Sequence, residues 1–368
     1  MSEPIQHEFR SGINPDHAET FVKRLSQRDT DNQHVVVRFE GYPYVNAGVG
    51  WRIGNALRRY AGDRLEIHIP PFNGGKGEWF RSFTRSCLGD AFAAHAGRIF
   101  CGDLDVTEEV RSYYVEWSCR KSQNAVVTGS LDSGINVDPE REDRFRDEFL
   151  RSLRQVNVRP NNFERDRLQD VIKLVFEAIQ NVYDHATRKP LIENTRVVSY
   201  CLIGYYKSIG NHPDPAGKLR GYLEHLDKIE PRRRADFIEV CVNDDGVGIA
   251  ARQSQDPAIY WGAIEDEEAA LSQAIAARSS VKLRANDTRV RGVPGQGYTY
   301  IESSLRALRA FAILRSGRLL AVLDGTNNND TGFSLMQLDL GYMPGTTLDV
   351  LIPILKDADG QLTLFPEA

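Results

Sequence analysis

Phe237-Ile-Glu-Val-Cys-Val-Asn-Asp-Asp-Gly-Val-Gly-Ile249 is the stretch from which the fold is read. Phe237–Asn243 is apolar and rich in β-branched residues, and reads as a strand. Two glycines, Gly246 and Gly248, follow directly, and they permit a tight turn and a close backbone approach. Asp244, at the strand end, can accept a hydrogen bond from an exocyclic amine. An ordinary Asp/Gly turn has the same appearance, so its meaning depends on the segments around it.

Upstream, Leu168, Val171, Ile172, Val175, Ile179 and Val182 recur at helical spacing. The other face of that helix carries Glu177, Asn181 and His185, spaced i, i+4, i+8. A carboxylate stacked on an amide suits a magnesium-phosphate site. The amide oxygen is a hard ligand, and the carboxylate can orient or deprotonate a water. A polar helix face in plain contact with solvent would look the same.

Downstream, Arg291-Gly292-Val-Pro-Gly295-Gln-Gly297-Tyr298 opens a helical pattern running from Thr299 to Leu308. Glycines at a helix start offer backbone N–H groups and the positive dipole end to a phosphate. This is neither a Walker A loop nor a Rossmann fingerprint, because the lysine of the first and the preceding strand of the second are missing. Last comes Gly345-Thr346-Thr347, leading into a strand at Leu348–Pro353.

Taken in this order, the four segments resemble the GHKL ATPase superfamily of gyrase, heat-shock chaperone ATPases, MutL, histidine kinases and anti-sigma-factor kinases. The likeness spans roughly residues 160–355. The N-box wording, Glu177, Asn181 and His185, is nearest the anti-sigma-kinase branch. The resemblance implies ATP and Mg²⁺ as ligands. Asn181 would bind Mg²⁺, Glu177 would activate the attacking water or hydroxyl, and Asp244 would hold the adenine amino group. Gly246, Gly248, Gly292, Gly295, Gly297, Thr346, Thr347 and His185 would complete the nucleotide site. Ala250–Val290 takes the place of the ATP lid, with a helical stretch over Asp266–Arg278. Lys282, Arg284, Arg289 and Arg291 there are candidate partners for the triphosphate. The glycine box is sparse beside the family pattern, and Gln296 and Tyr298 are atypical. No His-x-x-x-Pro helix precedes residue 160, which disfavours a sensor histidine kinase. Lys356 is the nearest match to the lysine that some members draw from a neighbouring domain.

The fold class expected from this reading is α+β. A C-terminal Bergerat-type α/β sandwich, a mixed sheet with helices on one face, follows a smaller N-terminal α/β domain. The boundaries are 1–115 for the N-terminal domain, 116–160 for a linker with a charged helix, 161–357 for the ATP-binding domain and 358–368 for a flexible tail. Strands are expected at His34–Phe39 and Leu65–Ile69, and helices at Gly50–Tyr60 and Trp79–His95. Residues 34–70 resemble a STAS domain. In that likeness Ala47 occupies the position of a phosphorylated serine and cannot serve as one. A generic β-α-β unit reads the same way.

The tail Gln361-Leu362-Thr-Leu364-Phe365 resembles the peptide by which bacterial polymerases and repair proteins dock on the DNA sliding clamp. A final strand or an unstructured end is the plainer account.

The chain has 368 residues, enough for two domains, and a net charge of −5, which disfavours a generally basic nucleic-acid binder. The five cysteines are scattered without a CxxC pair, so neither a disulfide framework nor a zinc ribbon is suggested. No apolar run is long enough to span a bilayer, and no secretory signal is visible, so the expected setting is the cytoplasm. The expected function is a Mg-ATP-dependent, slowly hydrolysing conformational switch in a bacterial multi-protein system of DNA maintenance or phage defence. The alternative is an anti-sigma-type protein serine kinase. Partners are protein partners, the sliding clamp among them, and pairing into a homodimer is compatible with the family.

Overall fold

The computed structural model describes residues 4–9, 13, 15–26, 33–40, 47–57, 60, 62–71, 96–111, 125–128, 145–147, 149–151, 153–154, 165–182, 199–206, 209, 212–231, 234–276, 297–327, 332–356 and 362–363. It has the expected α+β class and divides into two units. The first comprises Met1–Gln123 with Gly210–Pro213 and Asp339–Pro344, and the rest of the chain forms the second.

In the first unit, β1 (Ile5–Phe9), β2 (Val35–Phe39), β3 (Gly62–Ile69) and β4 (Ala96–Cys101) run parallel in that order, and β5 (Leu104–Asp105) turns back antiparallel on β4. The register sets Ile5 beside Val35, Val35 beside Leu65, and Ile67 beside Ile99. All of these side chains are buried, as the apolar strands of a parallel sheet require. Helices α1 (Pro15–Ser26) and α2 (Ala47–Leu57) link successive strands. α1 begins on a proline whose missing N–H costs nothing at the first position. It carries Asp16 in its first turn and Lys23 and Arg24 in its last, each favourable to the helix dipole. Its far end is fixed by Tyr60, whose hydroxyl donates to the Leu25 carbonyl at 3.1 Å.

His7 packs edge-to-face with Phe9 and at a tilt against Phe21, with ring centroids 4.5 and 4.4 Å away. Burial, then Arg24 and His17, lowers its pKa from 6.5 to about 4. The unfolded chain therefore binds the extra proton between those values, so the contribution of His7 is complete above pH 6.5 and is lost as pH falls through the window. Urea unfolding above pH 6.5 and near pH 4 is expected to show a smaller acid-induced loss for His7→Phe than for the wild type.

The sheet of the second unit has the order β11-β10-β9-β12-β8-β7-β6. These strands are β6 (Ala125–Thr128), β7 (Ser199–Tyr206), β8 (Arg234–Asp244), β9 (Phe311–Gly317), β10 (Leu319–Asp324), β11 (Ser334–Met336) and β12 (Met343–Lys356). Pairing is antiparallel along β6·β7, β7·β8, β8·β12, β9·β10 and β10·β11. Helices α3 (Arg165–Val182), α4 (Lys218–Ile229), α5 (Ile249–Ser254), α6 (Ile264–Ile275) and α7 (Gly297–Ala307) complete it. The core lies on one face of this sheet. Ile238, Val240 and Val242 of β8 and Leu348, Val350, Ile352 and Ile354 of β12 meet Val171, Val175 and Ile179 of α3 and Ile301 and Leu305 of α7.

β6 lies inside the stretch read from sequence as a linker, and its Ala125 and Val126 pair with Ile203 and Leu202 of β7. β12 runs past both ends of the expected Leu348–Pro353, because its backbone ladder with β8 extends from Thr346 opposite Asp244 to Lys356 opposite Arg234. Cys201 and Cys241 are buried as small hydrophobes. Among the described residues, no helix is long and apolar enough to cross a membrane. Expectations for the helix at 79–95 lie outside the described residues.

Candidate functional site

The end of β8 is held by a network of short turns. The Gly246 N–H donates to Asp244 Oδ1 at 2.9 Å, fixing the carboxylate of a residue only 4% exposed. Gly248 has φ +84°, and a β-carbon there would stand 2.4 Å from the Tyr260 hydroxyl and 2.9 Å from Ser316 Oγ. The chain closes on that space. The Ile249 N–H donates to Ser316 Oγ at 2.9 Å, and the Ala251 N–H donates to the Tyr260 hydroxyl at 3.2 Å. Ser316 Oγ in turn donates to the Gly345 carbonyl at 3.3 Å and lies 3.4 Å from Thr346 Oγ1.

Thr346 stands directly opposite Asp244 in the β8·β12 ladder. Both share the side of the pleat that carries Val242 and Leu348 into the core, the face covered by α3 and α7. Thr347 is the next residue of β12. The pleat turns it to the opposite face, where it is fully buried and its hydroxyl donates to Asn243 Oδ1 at 2.7 Å. It therefore does not join Asp244.

α3 and α7 pack together along this face. Lys173 Nζ stands 4.4 Å from the ring centroid of Tyr300, a cation–π contact that fixes their register. Lys173, Glu177 and Asn181 follow at i, i+4, i+8, so the half-buried Glu177 and Asn181 lie on the stripe of α3 that meets α7 at Lys173. The Asn181 amide nitrogen is buried and has no hydrogen-bond partner among the described residues. Amide nitrogen and oxygen exchange places on a half-turn of the side chain, so a hard oxygen donor can stand at the same point. That orphaned group fits a Mg²⁺ ligand.

Tyr298, in the first turn of α7, has its hydroxyl pKa raised by burial first and by the charge of Asp244 second. The helix opened by the glycine box thus lies within electrostatic reach of the β8 turn. Asp244, Gly246, Gly248 and Thr346 come together at one sheet end, with Tyr298 beside them. Gly297 begins α7. His185, Gly292, Gly295, Gln361, Leu364, Phe365 and the cations Lys282, Arg284, Arg289 and Arg291 lie outside the described residues. Leu362 lies in the two-residue β13 (Leu362–Thr363), paired with Lys356 of β12.

Sequence reasoning missed Ser316 and Tyr260, which stitch the glycine turn to β9 and to the segment after α5. It also missed the anchor of the expected lid. Glu267 of α6 is fully buried, accepts from the Arg318 N–H at Oε1 and pairs with Arg318 Nε at Oε2, both at 2.7 Å. Burial raises the Glu267 pKa, and the Arg318 contacts oppose that rise. Residues 249–276 are therefore tied to the β9–β10 turn, which leaves 277–296 as the part of the expected lid that lies outside the described residues.

No protein-family model matches the chain, and comparison with curated proteins and with solved structures found no match.

Proposed function

We propose that the second unit binds ATP with Mg²⁺ and hydrolyses it slowly, as a GHKL-type nucleotide-driven switch in a cytoplasmic bacterial multi-protein system of DNA maintenance or phage defence. One juxtaposition carries the reading: Asp244 and Thr346 are cross-strand partners on the helix-covered face, and Tyr298 at the head of α7 feels the Asp244 charge. Three segments far apart in the chain thus supply a carboxylate, a hydroxyl and a helix start to one place.

Within that reading each residue has a task. Asp244, fixed by the Gly246 N–H, accepts a hydrogen bond from the adenine amino group. The glycines at 246 and 248 let the base approach the backbone. Asn181 holds Mg²⁺, which when bound neutralises charge on the phosphate oxygens. Glu177 orients the attacking water and takes its proton.

Asp244→Asn tests the reading. The amide keeps an oxygen for the Gly246 N–H, so the turn is retained while the charged acceptor is lost. ATP and ADP affinities are expected to fall together by about 10- to 100-fold, measured by titration calorimetry. Unchanged affinity would remove the adenine contact and the reading built on it.

The tail is proposed as a docking peptide for the sliding clamp. Leu362 and Thr363 pair with Lys356 and Leu355, so docking competes with that short ladder.

A further inference from the structure

Trp261 of the second unit is 59% exposed, although the residue before it, Tyr260, is 2% exposed. Trp261 ends a short 3-10 helix, Pro257–Trp261, that lies between α5 and α6. The chain around it is fixed. At the start of the helix the Ala258 N–H donates to Asp256 Oδ1 at 2.8 Å, and at its end the Gly262 N–H donates to the Ile259 carbonyl at 3.3 Å. The Tyr260 hydroxyl accepts from the Ala251 N–H, and Arg318 Nη2 donates to the Gly262 carbonyl at 3.2 Å. One aromatic is thus locked inward, and its neighbour is presented outward from a built support. Exposed tryptophans are the residues that most often dominate the energy of an interface. Because the backbone here is already held, little order has to be gained on binding.

The charge around the indole has one sign. From Gln253 to Ala276 every ionisable residue is acidic. Glu267 is spent internally, since it is fully buried and paired with Arg318. Asp256, Glu265 and Asp266 are exposed, and all three lie within five residues of Trp261. Glu265 and Asp266 suit the start of α6, but a helix start does not call for an indole in water beside it.

Three kinds of surface take up an exposed tryptophan: nucleic-acid bases, the lipid headgroup boundary and another protein. The first two bring phosphate charges, which these carboxylates repel. A protein segment carrying arginine uses both features at once. Its guanidinium stacks on the indole face, and its N–H fork matches a carboxylate. We propose that Trp261 and the acidic residues flanking it are the docking surface for an arginine-bearing segment of a partner protein.

None of these residues belongs to the proposed nucleotide site, so docking is measured without ATP. The probe is a fluorescein-labelled peptide of alternating arginine and glycine, titrated with the full chain and followed by anisotropy. Saturable binding is expected, weakening as salt is raised. Trp261→Ala is expected to bind about five- to tenfold more weakly, with an unchanged melting temperature. Glu265→Gln combined with Asp266→Asn is expected to weaken binding by a similar factor. Glu224→Gln combined with Asp227→Asn removes the same charge from exposed positions of α4 and is expected to leave affinity within about twofold. A peptide of alternating lysine and glycine is expected to bind more weakly than the arginine peptide, because an ammonium has no planar face. Should Trp261→Ala melt lower than the wild type, the carboxylate variants carry the test. No saturable binding, an equal loss in the α4 variant, or unchanged binding by a stably folded Trp261→Ala would overturn the proposal. So would tighter binding of a single-stranded oligonucleotide or of anionic lipid vesicles than of the arginine peptide.

Discussion

Glu177→Ala is expected to keep ATP affinity within a few-fold of wild type and to lose hydrolysis by a factor of about 10²–10⁴, the usual contribution of a positioned general base. The division follows from where the groups stand. The adenine and hydroxyl contacts belong to the β8 turn and to Thr346, which the substitution does not touch. Glu177 stands on α3, whose buried stripe of Val171, Val175 and Ile179 holds the helix on the sheet, so removal of one half-buried carboxylate leaves that packing intact. Calorimetry reports the binding and phosphate release reports the turnover. Radiolabel transfer from the γ-phosphate to a partner serine, in place of phosphate release, would move the protein to the anti-sigma-type kinase reading. Measurable ATP affinity with no turnover in wild type would mark a scaffold. Equal hydrolysis by wild type and Glu177→Ala would strip Glu177 of its role.

The parts legible in sequence are those whose physics is local. Gly248 announces itself because only glycine sits easily at φ +84°, and α3 because an apolar stripe repeats at helical spacing. Strands β8, β9 and β10 carry enough apolar residues to be seen. β6 does not, because the short Ala125–Thr128 has no room to display a period. The facing of Thr346 and Thr347 is legible in sequence: Leu348, Val350, Ile352 and Ile354 alternate into the core, and Thr346 shares their parity while Thr347 does not. Ser316, Tyr260 and the Glu267–Arg318 pair were not legible. Each joins segments whose meeting depends on the closed fold, and a serine near the end of a strand looks like any other until Ile249 and Gly345 arrive beside it.

A comparison of two glycines isolates what holds the site together. Gly345 and Gly217 have nearly the same backbone, φ +77° and +76°. A β-carbon at Gly217 would meet nothing within 4 Å, whereas at Gly345 it would lie 2.0 Å from the Asp244 carbonyl oxygen and 2.6 Å from the Asp245 Cα. Gly217→Ala therefore reports the left-handed backbone cost alone, about 1–2 kcal/mol. Gly345→Ala carries that cost plus a collision with backbone that no rotamer change relieves, and is expected to lose about 3–5 kcal/mol in urea unfolding. The second loss has a functional echo, because the chain can escape the collision only by spreading β12 from β8 at the point where Thr346 faces Asp244. Folded Gly345→Ala is thus expected to lose nucleotide affinity, while Gly217→Ala keeps it. Equal destabilisation by the two substitutions would mean that the close approach of the strands at Asp244 is not under steric control. The proposed site would then lack the rigid corner on which its geometry depends.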